Sequence, residues 1–153
     1  MAFGSNLGKR IKNLKAGIVL CQEELLFLAT SHWKVTKPLS HRDYDIRNHG
    51  SYVNFVADVS SALSPTDLHS LTFSVEKKIG HSNKGKWLPR HLDIDILFVS
   101  KNWNRDFSQC PAIRVALPHL TIPHPAYFQR GFLIEMVETD LGIQTEKHFT
   151  KGK

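Results

Sequence analysis

The chain has 153 residues, 41% of them hydrophobic and 22% charged. That is the size and balance of one globular domain with a single core, and it excludes wholesale disorder. Lys and Arg number 20 against 14 Asp and Glu, a net charge of +6, which favours an anionic partner: nucleic acid, a phosphorylated small molecule or an anionic membrane surface. No apolar run approaches the ~18 residues of a membrane-spanning helix. The start, Met1-Ala2-Phe3-Gly4-Ser5-Asn6, has no basic region followed by an apolar one, as a secretory leader would. Cys21 and Cys110 build no disulfide framework. A cytoplasmic location and one domain over residues 1–153 are the expectations.

In chain order, Met1 to Gly4 reads as a short stub of strand, with a trimmed start expected. Leu7, Ile11, Leu14 and Ile18 recur at helical spacing and predict a helix from Leu7 to Glu24, with Ser5 or Asn6 as its cap. Leu25 to Val35 reads as one strand, and Thr36 to Gly50 as a long polar loop of the kind that carries function. Tyr52 to Leu63 is a further strand. Ser64-Pro65-Thr66-Asp67 then opens a helix, with Ser as cap, Pro in the first turn and an acid at the third position. Leu68, Leu71, Val75 and Ile79 are its buried stripe and Gly80 its stop. His81 to Arg90 is a basic loop. Leu92, Ile94, Ile96 and Phe98 alternate with Asp93, Asp95, Leu97 and Val99, as in a strand. A Pro-rich turn spans Pro118 to Pro125, Phe132 to Val137 forms a last helix, and the tail from Glu146 is polar. The order β-α-β-β-α-β predicts an α+β, ferredoxin-like core: an antiparallel sheet, helices on one face, and extra C-terminal elements.

The sharpest motif is Arg90-His91-Leu92-Asp93-Ile94-Asp95. On a strand, positions i and i+2 share a face, so Asp93 and Asp95 stand side by side. Adjacent carboxylates repel unless a cation lies between them, and oxygen ligands suit Mg²⁺ bridged to phosphates. A solvated strand face is the competing reading, weakened because Asp is disfavoured in strands. Lys84, Lys86 and Arg90 precede the pair, with Arg90 able to hold phosphate bidentately. Cations and Mg²⁺ together are what phosphoryl transfer needs. Thr121, His124 and Arg130 offer a hydroxyl, an imidazole and a guanidinium further on. Tyr52, Trp87 and Phe132 are aromatics suited either to a flat heterocycle or to a core. The nine histidines show no zinc-binding spacing. Gly4-Ser5-Asn6-Leu7-Gly8 reads as a tight strand-to-helix turn.

Together these stretches resemble the 6-hydroxymethyl-7,8-dihydropterin pyrophosphokinases of folate synthesis. The resemblance runs through Gly4-Ser5-Asn6-Leu7-Gly8, Tyr52-Val53-Asn54, Glu76 with Gly80, Trp87-Leu88-Pro89-Arg90-His91-Leu92-Asp93-Ile94-Asp95, Leu120-Thr121-Ile122-Pro123-His124 and Arg130-Gly131-Phe132, across residues 1 to 138. It implies transfer of the pyrophosphoryl group of ATP to the pterin's hydroxymethyl oxygen, with release of AMP. It implies two Mg²⁺ ions on Asp93 and Asp95, with Arg90 on the transferring phosphates. Glu76, Lys84, Lys86, Thr121, His124 and Arg130 fall to ATP. Thr36, Leu39, Tyr52, Asn54, Trp87 and Phe132 fall to the pterin. The expected partners are these small molecules alone, without nucleic acid or membrane, and the expected state is a monomer.

Departures from the family pattern are His81 and Lys86 where Arg is common, Leu88 where Gly usually follows the loop Trp, and Phe73 where Gln is frequent. The family's C-terminal Trp and His-Pro region is not evident after Asp140. Two other readings stay open at this level. One is a catalytically weakened relative that still binds pterin or nucleotide. The other is an RNA-binding module of the same fold, although its K/R-G-F/Y-G/A-F-V-x-F/Y signature is missing.

Overall fold

A computed structural model of the chain describes residues 1–38, 49–80, 88–101 and 112–145. The expectations placed on Leu39, His81, Lys84, Lys86 and Trp87 lie outside the described residues. The main sheet contains β1 (Ala2–Ser5), β2 (Leu26–Thr30), β3 (Lys34–Thr36), β4 (Tyr52–Ser60) and β5 (Asp93–Asp95). Its order is β2-β4-β1-β5, with β3 also on β4, and every pairing is antiparallel. The helices are α1 (Arg10–Cys21), α2 (Pro65–Ile79) and α3 (Gly131–Glu135). A small hairpin of β6 (Val115–Leu117) and β7 (Leu120–Ile122) stands apart. The fold is α+β, built on an antiparallel sheet.

Strand alternation gives the sheet two working faces. Phe3, Val53, Phe55, Ala57 and Ile94 point to one side, where Leu14 and Cys21 of α1 and Leu68 and Val75 of α2 cover them. Phe55 is stacked between Phe3 and Trp33, with ring centroids at 4.7 and 5.1 Å. The other side carries Ala2 and Val56 at one end, packed under Tyr127, Leu133, Met136 and Val137. Further along the same face that cover stops, and Gly4, Tyr52, Asn54, Asp93 and Asp95 line an open cavity.

Several elements differ from the sequence reading, each for a local reason. Helix α1 begins at Arg10, and its cap position, Lys9, makes no side-chain cap. Gly8 takes φ +63°, which turns the chain before the helix. Leu7 and Ile11 are exposed, and the buried face is Leu14, Gly17 and Cys21. Gly17 sits against Leu92, where a Cβ would come within 2.7 Å of Leu92 Cδ2. The single strand expected over Leu25 to Val35 is two strands. The register on β4 shifts by one residue between Phe27 and Ala29, and by one more between Thr30 and Lys34. At the second break Ser31 turns inward and its Oγ accepts the Val56 N–H at 2.9 Å.

The strand expected over Leu92 to Val99 pairs only through Asp93–Asp95. Its alternation persists without a partner strand: Leu92, Ile94 and Ile96 enter one core and Leu97 the other. Beyond it, His124 N–H bonds to Leu97 O and Ile113 N–H to Val99 O. The Pro-rich turn is the β6–β7 hairpin, followed by a cis Ile122–Pro123 bond. The last helix starts at Gly131 and runs into a π-helical turn over Met136–Asp140. Helix α2 matches its reading, with Ser64 Oγ accepting the Asp67 N–H and Gly80 closing the end at φ +128°.

Candidate active site

The cavity has a volume of about 280 Å³ and is built on three adjacent strands. Gly4 of β1 lies opposite Asn54 of β4 on one side and Asp93 of β5 on the other, while Ala2 lies opposite Asp95. The floor is therefore made of the smallest residues and the walls of polar ones. A Cβ at Gly4 would approach Asn54 Oδ1 to 2.7 Å, so the bare glycine is what lets the amide lie there. Asn54 Nδ2 donates to Thr36 Oγ1 at 2.8 Å. That bond fixes the amide and leaves Oδ1 as an acceptor without a donor among the described residues. Tyr52, Phe132, Pro38, His49 and Leu88 add flat or apolar surface.

Charge is concentrated on the β5 side. Arg90 Nη1 donates to Asp93 Oδ1 at 2.7 Å, and Arg130 Nη1 to Asp95 Oδ2 at 3.1 Å. His124 Nε2 stands 3.6 Å from Asp95 Oδ1. Burial, and then the neighbouring Asp95, push the Asp93 carboxyl up to about 6, against the pull of Arg90 and Arg130. Burial would lower the Arg90 guanidinium, but Asp93 and then Glu76 outweigh it and raise it. The Tyr52 phenol is raised by burial and then by Asp93, so it stays neutral. Arg130 Nε is buried with no hydrogen-bond partner among the described residues. A buried donor of this kind is costly to leave unpaired, and an entering anion would satisfy it.

Supporting residues hold this arrangement from behind. Asn6, only 5% exposed, accepts the Arg90 N–H on Oδ1 at 2.7 Å and donates from Nδ2 to Gly50 O at 3.3 Å. The N–H groups of Asn6 and Leu7 both donate to Arg90 O. Glu76 of α2 is buried beneath β5 and accepts the Ile94 N–H at 2.7 Å, between the two aspartates. Burial lifts its pKa to about 7, and this backbone bond offsets part of the lift. Ala126 N–H donates to His124 Nδ1, which leaves Nε2 as the proton-bearing nitrogen facing Asp95. Burial first, opposed by Asp95, lowers the His124 pKa and keeps the ring neutral.

Of the residues singled out in the sequence, Thr36, Tyr52, Asn54, Arg90, Asp93, Asp95, Arg130 and Phe132 converge on the cavity. His124 reaches it through Asp95. Glu76 lies behind the floor and Thr121 on the exposed side of β7. Three contributors carry no site signal in the sequence: Asn6 reads as a helix cap or turn residue, Gly4 as a strand end, and His49 as part of a polar loop. A glycine at a strand position facing two polar neighbours signals close approach, but those neighbours are known only once the register is known.

On an α+β fold, a carboxylate pair flanked by two guanidiniums, beside an amide and aromatic surface, has the chemistry to receive an anionic group next to a flat polar one. A family model for 7,8-dihydro-6-hydroxymethylpterin-pyrophosphokinase (HPPK) matches residues 1–139. Curated relatives named 2-amino-4-hydroxy-6-hydroxymethyldihydropteridine pyrophosphokinase align along most of the chain. That of Aquifex aeolicus is 31% identical over 134 residues, 88% of this chain and 74% of its own. That of Porphyromonas gingivalis is 31% identical over 137 residues, 87% and 83% of the two chains. That of Bacillus subtilis is 25% identical over 155 residues, 100% and 83%. The chain belongs to the HPPK family, whose reaction is pyrophosphoryl transfer from ATP to hydroxymethyldihydropterin in folate biosynthesis.

Proposed function

We propose that this transfer takes place over Gly4, with the pterin on the Asn54 side and the triphosphate on the Asp93–Asp95 side. The single observation that carries the reading is the convergence of Asn54, Asp93, Asp95 and Arg130 on one face of the sheet. Asn54 would pair with the heterocycle's edge through Oδ1, which has no donor among the described residues, with Thr36, Leu39, Tyr52, Trp87 and Phe132 around the ring. Arg130 would offer Nε, which is unpaired among the described residues, to a phosphate oxygen, and Arg90 would exchange Asp93 for the transferring phosphates. Glu76, Lys84, Lys86, Thr121 and His124 complete the nucleotide side. The hydroxymethyl oxygen attacks the β-phosphorus and releases its proton to solvent, the bond from that phosphorus to the α–β bridging oxygen breaks, and AMP departs with the oxygen.

Two Mg²⁺ ions fit the donor set. Asp93 and Asp95 supply only oxygen and share a face, and burial, then repulsion from Asp95, raises Asp93. When bound, Mg²⁺ would supply charge neutralisation for the triphosphate. The strand order β2-β4-β1-β5, with α1 and α2 together on one face, supports a ferredoxin-like core. One domain, acting as a monomer without nucleic acid, completes the reading.

The test is AMP formation by the purified chain with ATP, Mg²⁺ and the hydroxymethyl dihydropterin. Turnover should fall at least ~100-fold on Asp93→Ala or Asp95→Ala, since removing one transition-state charge contact commonly costs 10²–10³. Turnover no higher than that of the doubly substituted chain contradicts the proposal. Lys86 and Leu88, which replace the family's usual residues, favour a second reading: calorimetric binding of pterin and nucleotide with no AMP formed would identify a binding protein.

A further inference from the structure

Helix α2 and the β6–β7 hairpin bring two imidazoles together outside the cavity. His69 lies in the second turn of α2 and His119 in the turn between β6 and β7. Their ring centroids are 5.2 Å apart and their planes are inclined by 47°. Neither ring has a part in the roles assigned above. Both carriers are well anchored. Ser64 caps α2, and Leu120 and Ile122 of the hairpin are buried in the core beneath it.

Two imidazoles held on rigid elements are a minimal chelate for a transition metal. Two metal–nitrogen bonds of about 2.0–2.1 Å at a tetrahedral angle place the ring centroids roughly 5 Å apart. The observed separation needs no more than rotation of the side chains. His119 is exposed and His69 half-buried, so an ion can reach the pair from solvent. Nitrogen donors select Zn²⁺, Ni²⁺ or Cu²⁺ over Mg²⁺, whereas the carboxylates of Asp93 and Asp95 favour Mg²⁺.

We propose that His69 and His119 form a two-histidine site for a divalent transition metal of the Zn²⁺ type, completed by water, that clasps the β6–β7 hairpin to α2. The clasp has a direction of effect. β7 carries Thr121 and leads through Pro123 to His124, so fixing the hairpin tip steadies the strand that delivers His124 to Asp95.

The test uses the full chain and ZnCl₂ alone, without nucleotide. Zn²⁺ should raise the melting temperature of the parent chain, while MgCl₂ at the same concentration should not. His69→Gln and His119→Gln should each abolish that shift and weaken calorimetric Zn²⁺ binding at least ~10-fold, with the double variant no weaker than either single one. Their metal-free melting curves should match the parent's. Pulsed electron paramagnetic resonance of one equivalent of Cu²⁺ should count two imidazoles in the parent and one in either variant. His119→Gln titrating with Zn²⁺ like the parent, or an unchanged imidazole count, would overturn the site and leave the pair as a ring contact.

Discussion

Gly4 shows how much a missing side chain can contribute. Its bare Cα lies between Asn54 and Asp93, and Gly4→Ala would drive a Cβ into Asn54 Oδ1. The variant should fold and should bind pterin ~10-fold more weakly, about 1.4 kcal/mol; unchanged affinity by calorimetry would contradict the placement of the pterin edge. Glu76 makes a second residue-scale prediction. Its pKa is raised in the fold, so its favourable contribution is complete below its ordinary 4.5 and is lost as pH rises through about 7. Asp93, raised to about 6, acts in the same direction over a lower window. In ligand-free buffer with chelator, stability should fall from about pH 4 to about pH 7. Glu76→Gln, which keeps the acceptor for Ile94 N–H, should recover ~1–3 kcal/mol at the upper end; urea unfolding that finds it less stable there would refute this. At this scale the aspartate pair was legible, because a two-residue period is local. Asn6 and Gly4 were not, because Asn6 bonds to Arg90 and Gly50 and Gly4 abuts Asn54, all remote in sequence.

At the scale of elements, the sequence carries local signals explicitly and tertiary ones not at all. Ser64-Pro65-Thr66-Asp67 carries its own cap, and α2 begins where that cap dictates. Ser64→Ala should therefore cost about 1 kcal/mol in unfolding free energy while leaving pterin affinity unchanged; a loss of affinity instead would mean that the helix start supports the site. Helix α1 has no such cap, and an apolar spacing that included the exposed Leu7 and Ile11 placed its start too early. Leu25 to Val35 looked continuous because nothing in its composition marks a bulge. Its interruption comes from β4, whose register it must follow through two shifts, with Ser31 bonded inward at the second. The Asp93–Asp95 strand is short because β1 is short, although side chains continue to alternate between the two faces as far as Leu97.

Across the whole molecule, the sheet keeps one face for a core and divides the other between a second core and the cavity. That division places Gly4, Asn54, Asp93 and Asp95 side by side without any one loop having to hold them. It also changes the meaning of the net charge. The surplus of six left nucleic acid, a phosphorylated small molecule and an anionic membrane surface all open; Arg90 and Arg130 converge on two carboxylates and, among the described residues, leave one buried guanidinium donor unpaired. This is a local, nearly balanced site that a triphosphate and its cations can enter together. Among the described residues no helix is long and apolar enough to cross a membrane. The chemistry turns on which phosphoryl group moves. Phosphorus-31 magnetic resonance of the purified chain with ATP, Mg²⁺ and hydroxymethyl dihydropterin should show AMP and a diphosphorylated pterin rising in equal amounts; formation of ADP, or loss of ATP with no phosphorylated pterin, would contradict it.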